Sequence, residues 1–276
     1  MSVKIVVDST VDLVPEVKNQ VKVVPVSVIF GEQEYKDGIN IDPVKFYEML
    51  MSSEKLPTTS QPTPVVFEDT YRELVEAGHE VVCITIASKL SGTYQSATIA
   101  ADEFPGKVFV VDSRSAAIGA GILTEWALKL AEEGRNGQEI LEALMEKRKE
   151  IRLYAMVDTL EYLKKGGRLS STVAFVGGML NLKPIISLEE GEIKVLGKAR
   201  GQKAAFAALT KACLESGVND NAPYMLAYSG VNDENLSRYL EENSELWSAD
   251  GRKIILGSAI GTHAGPGAVA MAFFVK

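Results

Sequence analysis

The chain has 276 residues, 46% of them hydrophobic, and a formal net charge of -8. A chain of this length and apolar content buries a sizeable core and favours two domains over one. Its acidic balance argues against generic nucleic-acid binding, which needs a basic face to neutralise phosphates.

The N-terminus runs straight into a strand-like segment, Val3 to Val7, with no basic leader, apolar core or cleavage site before it. This pattern predicts that no signal peptide is present. No apolar stretch approaches the roughly 18 residues needed to span a bilayer. We therefore expect a cytoplasmic protein.

The first half of the chain alternates strands with helices. Its strand-like runs are Lys4 to Val7, Val21 to Phe30, Val81 to Ile86 and Val108 to Val111. The helical patterns are Val44 to Met51, Val65 to Ala77, Tyr94 to Glu103, Ser115 to Glu133 and Gln138 to Arg152. This alternation predicts a parallel sheet with helices on its faces, and ligands of such sheets gather at the carboxyl ends of the strands.

From Leu153 onward the pattern changes to mixed α+β. The strand-like runs are Leu153 to Val157, Pro184 to Leu188, Ile193 to Leu196, Tyr224 to Tyr228, Lys253 to Leu256 and Ala268 to Val275, with helices at Gln202 to Ser216 and Asp233 to Glu242. The segment Glu189-Glu190-Gly191-Glu192 predicts a hairpin turn. We predict an α/β protein with a parallel-sheet domain over residues 1–152, a mixed α+β domain over residues 153–276, and a ligand site where the two meet.

The two cysteines, Cys83 and Cys213, lie in a strand pattern and a helical pattern, far from each other in sequence. We expect both to be small buried hydrophobes rather than reactive thiols. Two cysteines and two histidines so dispersed predict no metal site.

Charge is unevenly distributed along the chain. Between Lys147 and Lys203 there are 12 basic and 6 acidic residues, a net charge of +6, so the rest of the chain carries -14. This segment is either a docking surface for an acidic or phosphate-bearing partner or an ordinary solvated face.

Three short polar clusters stand out from the apolar background: Thr58 to Pro62, Ser91 to Thr93 and Gly261 to Gly267. Hydroxyls, small residues and one of two histidines suit an anionic head group. Ser91 to Thr93 precedes a helical run, where free backbone N–H groups and the helix dipole favour a carboxylate or phosphate, and Gly92 permits close approach. Glycines around His263 let its imidazole face a cleft. A helix cap, a proline turn or a core histidine explains each cluster singly, so it is their combination that predicts a site.

The same residues resemble a known family. The segments Val7-Asp8-Ser9, Thr59 to Pro62, Ser88 to Ala97, Leu160 to Arg168, Lys198 to Gly201 and Gly261 to Gly267 are together similar to the DegV family, in the expected order and over essentially the whole chain. The resemblance implies a bacterial two-domain protein, similar to the FakB carriers, that holds a long-chain fatty acid in a buried tunnel. It further implies presentation of the carboxylate to a separate fatty acid kinase, whose acyl phosphate product feeds phospholipid synthesis.

The resemblance also assigns residues. It implies head-group contacts from Thr59, Ser91 and His263, with Ser60, Gly92 and Gly265 beside them. Arg168 and Arg200 match positions near the partner-facing surface, and both fall in the basic segment. The carrier is expected to have no catalytic residues and no cofactor beyond the bound fatty acid. Peripheral contact with a membrane during lipid exchange is left open, as are the preferred acyl chain and the oligomeric state.

Elementary energetics separates the roles of the lipid's two ends. Burial is worth roughly 0.8 kcal/mol per methylene, so the tail should dominate affinity. The carboxylate needs donors in place of water, and we expect hydroxyls, helix-end N–H groups and the imidazolium of His263 to supply them. Candidate tunnel-lining residues are Phe175, Val176, Met179, Leu180, Val26 and Val28, although core packing explains any one of them better than a lining role does.

The main alternative is a serine hydrolase or acyltransferase. Ser91 would be the nucleophile, His263 the base and Asp8 or Asp112 the group that orients it. Against this hypothesis, the chain contains no G-x-S-x-G elbow. A nucleotide-binding enzyme is weaker still, since Gly191 to Lys198 matches a phosphate-binding loop only loosely.

Overall fold

The structure is a computed structural model that describes residues 2–169, 181–219, 221–244, 246–248 and 252–276. The predicted tunnel residues Phe175, Val176, Met179 and Leu180 lie outside the described residues. Among the residues described, no helix combines the length and apolar character that a membrane span requires.

The elements up to the middle of the chain follow in this order. They are β1 (Val3–Asp8), α1 (Pro15–Lys18), β2 (Lys22–Val24), β3 (Ser27–Phe30), β4 (Gln33–Lys36), α2 (Pro43–Ser52), β5 (Thr58–Ser60), α3 (Pro64–Glu76), β6 (Glu80–Thr85), α4 (Thr93–Ala101), β7 (Val108–Asp112), α5 (Ala117–Glu132) and α6 (Gly137–Lys147).

A single 3-10 turn, Arg148–Glu150, leads into the remainder. Its elements are β8 (Ile151–Met156), α7 (Glu161–Lys165), β9 (Leu182–Glu189), β10 (Glu192–Arg200), α8 (Gln202–Glu215), β11 (Tyr224–Tyr228), α9 (Glu234–Glu242), β12 (Lys253–Ile255), α10 (Ser258–Ala264) and β13 (Val269–Phe274).

Two main sheets organise these elements. The first has the order β2-β1-β6-β7 and is parallel throughout. The second has the order β10-β9-β8-β13-β11-β12 and is antiparallel except for the β11–β12 pair. The predicted α/β class, with a parallel sheet followed by a mixed sheet, is confirmed. The predicted hairpin also forms, because β9 and β10 pair across the turn at Glu190 and Gly191.

The largest core cluster joins the two sheets. It contains Val7 and Ile84 of the parallel sheet, Ile122 of α5, and Ala155 and Ile186 of the mixed sheet. Helix α5 contacts strands of both sheets. Its glycines and alanines permit this close approach, since a Cβ at Gly121 would overlap the backbone carbonyl of Asp12. A cavity between the sheets is therefore walled by the core itself.

The predicted strand from Val21 to Phe30 is wrong as a single element. Pro25 has no N–H to pair, so the chain leaves the parallel sheet after β2 and enters β3, which pairs with β4 and β5 in a separate antiparallel sheet. This small sheet brings Thr58–Ser60, which the sequence indicates only as a loop, next to Val28 as a strand.

Two other boundaries differ from the prediction. The helix predicted to reach Arg152 ends at Lys147, and Arg152 instead pairs with Phe273 inside the mixed sheet. The glycine-rich segment after Gly261 is mostly helical, since α10 continues to Ala264 and ends at Gly265. In both places, pairing or capping by distant residues overrides the local composition.

Candidate functional site

A cavity of about 310 Å³ lies between the two sheets. Most of its wall is apolar, and much of this apolar lining comes from α5, β8, β9, α10, β13 and their flanks, including Ala116, Ala117, Leu153, Ala155, Val157, Ile186, Leu188, Leu256, Ala259, Ile260, Ala268 and Ala270. Of the two described residues predicted to line a tunnel, Val26 borders the cavity, whereas Val28 packs in the core beneath α2. A hydrocarbon chain is the ligand class that such a wall suits.

Polar side chains from four separate segments border the same cavity. Thr59 and Ser60 come from β5, Ser91 from the turn before α4, Arg168 from the turn after α7, and His263 from the last turn of α10. The three polar clusters of the sequence therefore meet at one cavity, although they are up to 204 residues apart in the Thr59–His263 pair.

His263 is the most constrained of these residues. Its Nε2 lies 2.9 Å from the Thr59 hydroxyl. Its Nδ1 is buried without a hydrogen-bond partner among the described residues, and it packs so closely on Gly166 that a Cβ there would overlap it. Burial, and secondarily the Arg168 guanidinium, lower the pKa of His263 to about 4. Without a bound acid the ring is therefore neutral at physiological pH, and the imidazolium expected beside a carboxylate stays a prediction.

Ser91 and Gly92 form the turn into α4. The Ser91 hydroxyl lies 2.8 Å from the Thr93 hydroxyl and accepts the Thr93 N–H at 3.3 Å. A Cβ at Gly92 would overlap the side-chain amide of Gln61, which donates to the Ser96 hydroxyl at 3.0 Å. Glycine at position 92 thus leaves space for Gln61, another residue of the cavity wall. Packing against Gln61 therefore explains this glycine as well as the close approach of a ligand that the sequence suggests.

Arg168 lies in the cavity wall and is held by two backbone carbonyls. Its Nε donates to the Leu90 carbonyl at 3.0 Å, and its Nη1 donates to the Gly166 carbonyl at 2.6 Å. Arg200 lies elsewhere, exposed at the end of β10. The two arginines that the sequence groups together therefore have different surroundings, one beside the polar residues of the cavity and one on the surface.

Gly265 supports the site without bordering the cavity. It ends α10 with a φ of +71°, in the left-handed region where glycine is favoured. A Cβ there would overlap the ring of Tyr162, which packs against it. Ser60 does border the cavity, and it is exposed at the end of β5.

Two buried carboxylates that the sequence did not indicate hold α10 in place. Asp12 accepts the Gly257 N–H at 2.9 Å, and Asp37 accepts the N–H groups of Ser258 at 3.1 Å and Ala259 at 3.3 Å. Desolvation by burial raises the pKa of both carboxyls. The sequence gives no signal for these contacts because the hydrogen-bonded residues are 221 to 245 positions apart in the chain.

The catalytic triad of the hydrolase hypothesis, Ser91 with His263 and Asp8 or Asp112, is not assembled in the described part of the structure. The Ser91 hydroxyl bonds to Thr93, and His263 bonds to Thr59. Asp8 accepts from Thr10 and from the Ile86 N–H, while Asp112 accepts from Ser88 and from the Arg114 N–H. Within the described part of the chain, Ser91 forms no hydrogen bond with His263, and His263 forms none with Asp8 or Asp112.

Comparisons with known proteins give a consistent result. A family model described as "Uncharacterised protein, DegV family" matches residues 2–276. A DegV domain-containing protein of Caldanaerobacter subterraneus is 38% identical over 257 residues, 92% of this chain and 91% of the relative. A Thermus thermophilus DegV family structure, described as showing fatty acid binding, is 35% identical with a TM-score of 0.89 and covers 100% of both chains. A structure from Eubacterium ventriosum, described as a stearic acid-binding protein, is 29% identical with a TM-score of 0.87 and covers 99% of this chain and 98% of its own.

Proposed function

The chain belongs to the DegV family, and on this premise we propose that it binds a long-chain fatty acid in the cavity and presents the carboxylate to a partner kinase. The observation that carries the proposal is a cavity with an apolar wall and a set of hydroxyl, imidazole and guanidinium groups bordering it. The described binding of fatty acids by the T. thermophilus and E. ventriosum proteins, and the similarity of their folds to this one, support it.

The apolar wall accounts for affinity. Each buried methylene contributes roughly 0.8 kcal/mol before the entropy of binding is subtracted. The wall residues of β8, β9 and α10 are mostly alanine, leucine and isoleucine, with Ser187 and His263 as their polar members, so most of this wall can pack against a hydrocarbon chain. The tail therefore sets how tightly the lipid is held.

The polar residues account for orientation of the acid. Among the described residues, Nδ1 of His263 has no acceptor, so a proton there would be a buried, unpaired donor, and the neutral ring is more stable with its proton on Nε2. The Nε2–H then donates to the Thr59 oxygen. This leaves the Thr59 hydroxyl proton free to donate to a carboxylate, together with the Ser91 hydroxyl, while the Arg168 guanidinium offsets the charge.

Phosphorylation of the bound carboxylate requires a surface on which the kinase can dock, in addition to the cavity. We assign to Arg200 a contact with the kinase, because it is exposed and forms no ion pair among the described residues. Acyl phosphate formation would then occur on a carboxylate already oriented by Thr59, Ser91 and His263, without catalysis by this chain, and in the cytoplasm where the kinase acts.

The direct test is native mass spectrometry of the protein as purified from cells, followed by lipid extraction. We expect one fatty acid per chain. A protein that carries no lipid and binds none of a series of added saturated and unsaturated acids would refute the proposal.

The division of roles is tested with His263→Ala and its matched control His79→Ala, the other histidine, which contacts Ser2 near the N-terminus. We expect the His263 variant to slow phosphorylation of bound lipid by the kinase more than it weakens lipid retention. The control should behave as the wild type does. Labelling of Ser91 by a fluorophosphonate, with turnover of acyl esters, would instead favour the hydrolase.

A further inference from the structure

A second cleft, also of about 310 Å³, lies between the end of β7, the turn before β8 and the β9–β10 hairpin. Four basic residues border it: Arg114, Arg148, Lys149 and Arg152. We propose that this cleft is a binding site for a phosphate group, separate from the lipid cavity and not dependent on the function proposed for that cavity.

Arg148 is the buried cation of this cleft. It is only 8% exposed, the one buried lysine or arginine among the described residues. Its Nη1 donates to the backbone carbonyl of Asp112, while its Nε is buried without a partner, and the guanidinium forms no ion pair within the described ranges. Burying this cation is costly, and although the Asp112 and Glu190 carboxylates attract it, neither pairs with it directly, so an anion in the cleft would offset the remaining cost.

In this cleft the guanidinium of Arg114 is already paired with a carboxylate of the protein. Its guanidinium contacts the carboxylate of Glu190, a residue of the hairpin turn whose side chain is 64% exposed. The backbone of Arg114 has a φ of 50°, in the left-handed region, and its N–H donates to the Asp112 carboxylate at 2.9 Å. An exposed ion pair contributes little, so a dianion that engages several guanidinium groups would displace Glu190 readily.

The remaining charges of the lining favour an anion as well. Arg152 donates from Nη1 to the carbonyls of Lys149 and Ile151, both at 2.9 Å, which fixes its guanidinium beside the turn. Glu189, the other carboxylate of the lining, is paired with Lys194 at 2.7 Å. Lys149 is paired with Glu146 and Arg114 with Glu190, which leaves Arg148 and Arg152 as cations of the lining without an ion pair among the described residues.

Guanidinium groups bind phosphate through paired, planar hydrogen bonds, which makes a phosphate the chemical class this cleft suits. The cleft shares Leu188 with the lipid cavity, and its Ser115 directly precedes Ala116 of the cavity wall. A free phosphate ion and the phosphate of a phosphorylated glycerol are both compatible with that position.

The test is calorimetric titration at low salt with inorganic phosphate and, separately, with glycerol 3-phosphate. Wild type should bind, and the double variant Arg114→Gln with Arg152→Gln should bind at least about tenfold more weakly. The control, Arg72→Gln with Arg135→Gln, removes two exposed arginines that lie outside the cleft lining and should bind as the wild type does.

Glu190→Gln provides a test that does not depend on removing cations. It takes away the carboxylate that competes for Arg114, so phosphate should bind more tightly. Stronger binding of glycerol 3-phosphate than of inorganic phosphate would identify an organic phosphate as the ligand, and the opposite order would identify the free ion. Equal binding by wild type and the double variant, or no binding by the wild type, would overturn the proposal.

Discussion

At the scale of single residues, burial decides the chemistry of His263. The same imidazole exposed in a glycine-rich loop would titrate near its ordinary value of 6.5, but here burial and the Arg168 cation lower its pKa to about 4. The ring consequently acts as a neutral hydrogen-bond partner that directs the Thr59 hydroxyl, rather than as a charge. Arg168 is left as the cation beside it.

We predict that His263 of the lipid-free protein titrates near pH 4, with the Nε2–H tautomer above that pH. Because folding lowers this pKa below 6.5, His263 contributes stability that is complete above about pH 6.5 and is lost as the pH falls towards about 4. Nuclear magnetic resonance of the imidazole carbons measures the titration, with His79→Gln to assign the two rings. Added fatty acid should raise the pKa, since its carboxylate offsets Arg168. A midpoint near 6.5 without lipid would contradict this account.

At the scale of elements, α10 depends on residues far away in the chain. It is only 7 residues long, too short to be stable alone, and its first N–H groups are taken by Asp12 and Asp37. Those carboxylates fix the helix that carries His263. In this position Asp12 lowers the stability of the folded protein, because it is buried and its Oδ2 has no partner among the described residues.

We predict that Asp12→Asn stabilises the protein at neutral pH. The amide oxygen still accepts the Gly257 N–H, while a buried carboxyl with a raised pKa is removed. Such a carboxyl costs stability as the pH rises above its ordinary value of 3.8, up to its folded pKa. The gain should be largest at neutral pH and should shrink towards pH 4.

Urea unfolding across this pH range measures the effect. Asp69→Asn, an exposed residue of α3, is the control and should change little. A variant that is less stable than the wild type throughout would show that the Asp12 charge itself, rather than its hydrogen bond, holds α10.

At the scale of the whole molecule, ion pairs decide which cations of the basic segment, residues 147–203, are left on the surface for a partner. Five of its cations form ion pairs with carboxylates: Lys147, Lys149, Lys165, Lys183 and Lys194. Lys198, Arg200 and Lys203, at the end of β10 and the start of α8, are exposed and form none among the residues described. Four of the five pairs use carboxylates of the same segment, which the net charge of +6 already includes, so pairing does not lower that charge but shows which cations are left for a partner.

We predict that Arg200→Glu weakens the reaction with the kinase and that added salt reduces the difference from wild type, because a surface charge acts through a screened field. Lipid content should be unchanged, since Arg200 does not border the cavity. Kinase kinetics at several salt concentrations measure the effect. The control is Lys211→Glu on α8, whose cation is paired with Glu215. Identical kinetics in both variants would remove Arg200 from the docking surface.

The sequence by itself determined the two sheet types, the order of most elements and the residues of the three polar clusters. Hydrophobic periodicity and turn residues are local signals, so Val81 to Ile86 and the β9–β10 hairpin could be identified without a structure.

Only the tertiary structure decided what those residues do. The neutral state of His263, the position of Arg168 in the cavity wall and the capping of α10 by Asp12 and Asp37 all depend on contacts between distant segments. Burial and pairing arise when the sheets pack together, and both act through space, where a sequence carries no signal for them.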